Sequence, residues 1–119
     1  KIFKKKETIK INKITQPKEF KKILNLTKDL VVKNNSELYF IYLPGYNRYL
    51  GSYDNTNYNL VKKTVNELKI PFIDIHNKVF LKQKNPLELF PFKMYGHYNI
   101  RGYELTSKAI HNVINNSDE

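Results

Sequence analysis

The sequence predicts an α/β fold, a small parallel sheet flanked by helices, on three observations. Two short apolar runs, Glu37–Leu43 (ELYFIYL) and Ile70–Ile75 (IPFIDI), read as strands covered on both faces. Stretches with apolar residues at helical spacing precede, separate and follow them. Turn-forming clusters, among them Asn34-Asn35-Ser36 and Pro44-Gly45, punctuate the alternation. Helix and strand alternating in this way place helices on the faces of parallel strands.

Taken in order, residues 1–16 form an N-terminal basic arm, and 17–119 form the folded unit. The arm opens with the basic run Lys1–Lys6. It continues into Thr8–Ile14 (TIKINKI), whose period of two fits an edge strand or an extended linker. Pro17 suits the first turn of a helix. Phe20, Ile23, Leu24, Leu30 and Val31 then recur at helical spacing to about Lys33. After the first strand, Gly45–Asn57 is a long Tyr/Asn/Gly loop, of a length that is uncommon without a function. A second helix runs from Thr56 or Asn57 to about Leu68, with Tyr58, Val61, Val65 and Leu68 on one face. Asn77–Gln83 reads as a short helix and Lys84–Tyr98 as a loop. The last helix, about Ile100–Ile114, packs through Leu105, Ala109, Ile110 and Val113.

Composition narrows the function classes. A chain of 119 residues makes one domain. No apolar run approaches the ~18 residues of a membrane span. The absence of cysteine excludes disulfides, thiolate metal sites and a Cys nucleophile, and leaves the compartment open. The net charge of +10 invites nucleic acid. However, the lysines are spread over the helices, and Arg48 and Arg101 are the only arginines, so nucleic-acid binding is not expected. The chain does not open with Met, which suggests a processed chain or a fragment.

In a parallel sheet the reactive crevice lies beyond the carboxyl ends of the strands. The loop Gly45–Asn57, Asp74–His76 and the loop carrying His97 all emerge there. His97, in a Gly/Tyr-rich loop ahead of a helix that Asn99 is suited to cap, is the candidate general base. Gly102, in the first turn of that helix, implies a close approach from the His97 loop. Asp74 is a candidate replacement acid, although a residue there also caps the next turn. Tyr46, Arg48 and Tyr49 are candidate contacts to an anionic or sugar ligand. Two histidines and a carboxylate (His76, His97, Asp74) at this spacing do not predict a metal site, and no cofactor is expected.

Three stretches, LYFIYLPGYNRY, IPFIDIHNKVF and NPLELFPFKMYGHYNIRGYELTSKAI, resemble the C-terminal half of SGNH (GDSL-type) hydrolases, in the branch related to polysaccharide acyl-modifying enzymes. The resemblance covers roughly Phe20–Ile114. It implies a partial flavodoxin-like three-layer fold and an ester hydrolase or acyltransferase. The family's general base precedes the final helix in a His-x-Asn-x-x-Gly-[His/Tyr] pattern, which reads here His97-Tyr98-Asn99-Ile100-Arg101-Gly102-Tyr103. The family's acid, two or three residues before the base, is replaced by Met94 and Tyr95. No Gly-Asp-Ser and no Gly-x-Asn block precedes Pro17. Ser36, Ser52, Ser107 and Ser117 do not fall at a strand-to-helix elbow. The chain therefore reads as the back half of an esterase, inactive alone, with an acyl-ester or glycan substrate. A non-catalytic binding module on the same fold is the alternative. In the family's strand order Glu37–Leu43 also lacks its other neighbour. That open edge predicts a homodimer, or else TIKINKI folding back as a local strand.

Overall fold

The computed structural model describes residues 17–116. The basic arm and edge strand expected over residues 1–16, and the tail 117–119, lie outside the described residues. Helix α1 spans Pro17–Lys33 and α2 spans Thr56–Glu67. Both end in the same way, on a non-glycine residue in the left-handed region. After α1, Asn35 takes φ 56°, Ser36 N donates to Val31 O (3.1 Å) and Asn35 N to Val32 O (3.0 Å). After α2, Lys69 takes φ 55°, and Ile70 N donates to Val65 O at 3.1 Å. These are the paired carbonyl caps of a Schellman motif, and the second also brings buried Ile70 against buried Val65.

Strands β1 (Phe40–Tyr42) and β2 (Phe72–Asp74) pair in parallel, Phe40 opposite Phe72 and Tyr42 opposite Asp74. The alternation of helix with parallel strand is thus as predicted, in an α/β arrangement that has, among the described residues, four α-helices and a small sheet. The ladder is shorter than the apolar runs. Pro71 has no N–H to give, and Asp74 turns the chain at once into α3 (Ile75–Lys78). The expectation that the first strand is covered on both faces is corrected. Ile41 and Leu43 are 38% and 55% exposed. Among the described residues no further strand lies along β1, so its outer edge is open.

Each face of the ladder has its own cover. Phe40, Tyr42 and Phe72 point to the α1–α2 face, where Phe20 meets Phe40 edge-on at 6.4 Å and Tyr58 meets Tyr42 at 4.9 Å. On the opposite face Ile73 joins Ile75, Val79, Phe80, Leu89 and Phe90 in a buried core. Leu105, Ala109, Ile110 and Val113 of α4 (Ile100–Asn116) close this core. The segment between α3 and α4 is a series of 3-10 turns at Phe80–Lys82, Pro86–Leu89 and Pro91–Lys93. Among the described residues no helix is long and apolar enough to cross a membrane.

Candidate functional site

The three segments expected at the carboxyl edge of the sheet do meet there, and tyrosines hold them together. The loop after β1 begins at buried Pro44, whose carbonyl accepts a hydrogen bond from the Tyr98 hydroxyl at 2.7 Å. Two residues on, the Tyr46 hydroxyl donates to Lys93 O at 2.9 Å, and its ring contacts Tyr95 at 6.2 Å. The residues on both sides of His97 are therefore tied to the β1 loop, while His97 itself is exposed. Tyr98 also packs against Phe80 and Phe90, at 5.0 and 5.5 Å between ring centres. Burial in this aromatic setting raises its pKa and keeps the hydroxyl a donor.

Directly after His97, Asn99 starts α4 with three bonds. Its Oδ1 accepts from Gly102 N (2.9 Å), its Nδ2 donates to Glu88 O (2.7 Å) and its N donates to Leu89 O (2.8 Å). Asn99 is thus the helix cap, as its residue type predicts. Gly102 has the close approach expected of it. A Cβ there would stand 2.8 Å from Leu89 O and 2.9 Å from Tyr98 Cβ.

Asp74 is occupied as a cap. Its Oδ1 accepts from Asn77 N at 3.3 Å, and its Oδ2 accepts from Tyr58 Oη at 2.5 Å and Asn77 Nδ2 at 2.6 Å. Lys62 Nζ adds a charge at 3.9 Å. The bonds formed by the Asp74 carboxylate go to α2 and α3 and none reaches His97. The structure does not bring the candidate base and the candidate acid together.

Arg48 lies inside the site rather than on its surface, at 8% exposure. Its guanidinium sits 4.6 Å from the ring centres of both Tyr53 and Tyr58. Its terminal nitrogens donate to Tyr42 Oη (3.0 Å) and Asn55 Oδ1 (2.7 Å), while Nε is buried without an acceptor. Among the described residues no carboxylate forms an ion pair with Arg48, and ring faces surround its charge. Burial pushes the Tyr42 hydroxyl up to about 12, with Arg48 opposing the rise.

Tyr49 stacks on Phe80 at 5.2 Å, and its hydroxyl lies 2.9 Å from His76 Nδ1. Burial first, and the Arg48 charge second, lower the His76 pKa against the opposing Asp74 charge, which favours the neutral ring. Burial likewise raises the Tyr49 pKa, and its protonated hydroxyl can donate to Nδ1. Of the candidate ligand contacts, then, Tyr46 and Tyr49 link segments and Arg48 braces the loop from within.

The sequence pattern assigns no site role to Tyr42, Asn55, Asn77 or Tyr98, and places Tyr58 only on the packed face of the second helix. The available signal was the density of tyrosine around the three loops. Among the described residues no group of three or more His, Asp or Glu side chains converges as a metal site would. The rim of the His97 loop is apolar and exposed at Phe92, Met94, Tyr95, Ile100 and Tyr103. Phe92 is 93% exposed and, like Lys93, adopts a left-handed φ (52° and 53°). No protein-family model matches the chain, and comparisons with characterised proteins and with solved structures return no match.

Proposed function

We propose that this chain supplies the general-base half of an ester hydrolase or acyltransferase, on a partial flavodoxin-like, SGNH-type three-layer fold. The observation that carries the reading is the tethering of the His97 segment to the β1 loop, through Tyr98–Pro44 and Tyr46–Lys93, with His97 itself open to solvent. A base at that edge meets a nucleophile presented from the same edge. His97 takes the proton of a serine hydroxyl as its oxygen attacks the ester carbonyl. It returns that proton to the departing alkoxide, leaving an acyl-enzyme that water then hydrolyses. With Met94 and Tyr95 at the acid positions and Asp74 bound to Tyr58 and Asn77, the base works as part of a Ser–His dyad.

The serine comes from polypeptide outside this sequence. Ser36 stands at the opposite, amino end of β1, Ser107 lies within α4 bonded to Glu104 O, and Ser52 sits in an irregular loop. The substrate is an acyl ester, and the exposed apolar rim from Phe92 to Tyr103 suits its acyl group or a glycan face. That same rim, and the missing acid, favour a second reading: a binding module that keeps the fold and does no chemistry. The intact reading frame separates the two. A strand pattern followed by Gly-Asp-Ser upstream of Lys1, with ester turnover that depends on His97, supports the hydrolase. An intact frame without such a serine, and ligand binding without turnover, supports the module.

A further inference from the structure

A groove of about 510 Å³ runs between the segment 78–83 and helix α4. That volume is within the range of small-ligand sites, ~300–1,000 Å³. Its floor is apolar. Val79 is buried in the core, and Leu105, Ala109 and Val113 are half-buried against it. The three α4 residues recur every four positions, so the floor follows one stripe of the helix. The lip is cationic. Lys78 and Lys82 stand on one wall and Lys108 on the other, all three exposed. Among the described residues no Asp or Glu lines the groove and none pairs with these lysines. Lys21, Lys62, Lys63 and Lys93, by contrast, each have a carboxylate at 2.7 to 3.9 Å. Arg101 brings a fourth cation to one end, where its guanidinium donates to Gln83 Oε1 at 3.4 Å. Gln83 Nε2 donates in turn to Val79 O at 3.2 Å, which braces that wall.

The change of character with depth selects the ligand. A bare anion would use the lysines and leave the floor idle, and a neutral apolar molecule would do the reverse. Lysine stems extend an apolar wall while their ammonium groups reach the lip, so an apolar stripe beneath cations suits an amphiphile with an anionic head. From Leu105 to Val113 the stripe runs eight residue steps, ~12 Å of helix, along which an unbranched chain can lie. The groove ends at Asn116, at the negative end of the α4 dipole, and no α-helix N-terminus lines it to cradle a phosphate. Both facts favour a singly charged carboxylate head. No aromatic ring lines the groove, as stacking of single-stranded nucleic acid would need. A partner protein would cover ~800 Å² on each side, and four floor residues that are buried or half-buried offer little of that.

We propose that this groove binds a fatty acid, its carboxylate among Lys78, Lys82 and Lys108 and its alkyl chain along Val79, Leu105, Ala109 and Val113. None of the lining residues comes from the Gly45–Asn57 loop or the His97 loop, so the proposal stands apart from the ester-hydrolase reading.

The test is an NMR titration of the full 119-residue chain with monomeric decanoate. The expected result is saturable shifts of the Val79, Gln83, Leu105, Ala109 and Val113 amides. Affinity should rise about threefold or more for each two-carbon step from hexanoate to decanoate. Decyltrimethylammonium, the same chain with the opposite charge, and acetate, the head without the chain, should each bind at least about tenfold more weakly. Decanoate should also bind at least about tenfold more weakly to the Lys82→Glu/Lys108→Glu variant, while the Ile73 and Phe80 amides keep their positions. The comparison among ligands decides the matter on the unaltered chain even if that variant fails to fold. Equal binding of the cationic or the chainless ligand overturns the proposal, as does affinity that ignores chain length. So do undiminished binding in the folded variant, and shifts that never saturate or that centre on the rim from Phe92 to Tyr103.

Discussion

Arg48 and His76 are residues whose roles follow from what surrounds them. In the sequence Arg48 stands in a polar loop between two tyrosines and reads as a ligand contact. In the fold it is packed between the rings of Tyr53 and Tyr58 and bonded to Tyr42 and Asn55. Arg48→Lys keeps the charge but loses the planar fork, so it should lower the unfolding free energy by roughly 2 kcal/mol in urea titrations. His76 gives a pH signature. Its folded pKa lies below the ordinary histidine value, so the unfolded chain binds the proton more readily than the fold does. Its contribution to stability is complete above about pH 6.5 and is lost as pH falls through the folded pKa. Denaturation at pH 7.5 and 5.5 should therefore show a loss of stability at the lower pH that is smaller in His76→Gln. An equal loss in both proteins contradicts the assignment. Nothing in a single sequence separates a buried arginine from a solvated one, because burial depends on Tyr58, ten residues away on another element.

At the scale of elements, the start of α4 was legible and the strands less so. Asn99 and Gly102 are local signals, since a cap and a missing Cβ act within one turn of helix. Their roles follow from the sequence alone. Gly102→Ala gains helix propensity but drives a Cβ against the Leu89 carbonyl, a backbone atom already held by Asn99 N. The clash should win, lowering stability by roughly 1–3 kcal/mol. Asn99→Ala should cost ~1 kcal/mol through the lost cap. Thermal unfolding of both variants checks the order. A stabilised Gly102→Ala protein would mean that the contact with Leu89 is loose. The strands are shorter than the apolar runs because an apolar run reports burial and not hydrogen bonding. Leu43 is apolar yet exposed beyond the end of the ladder, and Ile70 is apolar because it closes the cap of α2.

At the scale of the whole molecule, the alternation of helix and strand predicted which loops converge, and the tyrosine bonds at the carboxyl edge fix how. What stayed illegible was the pairing of base with acid. Asp74 and His97 belong to the same edge, yet Tyr58 and Asn77 claim the carboxylate through side chains that no spacing rule identifies. The 119-residue chain alone should release no product from a short-chain aryl ester above the buffer rate, and reproducible hydrolysis would reveal a nucleophile within it. The central claim, that His97 is the base of an ester hydrolase, is tested most directly in the polypeptide translated from the intact reading frame. There, kcat/KM for a short-chain aryl ester should fall at least about a hundredfold in His97→Ala. Unchanged turnover in that variant would contradict the account.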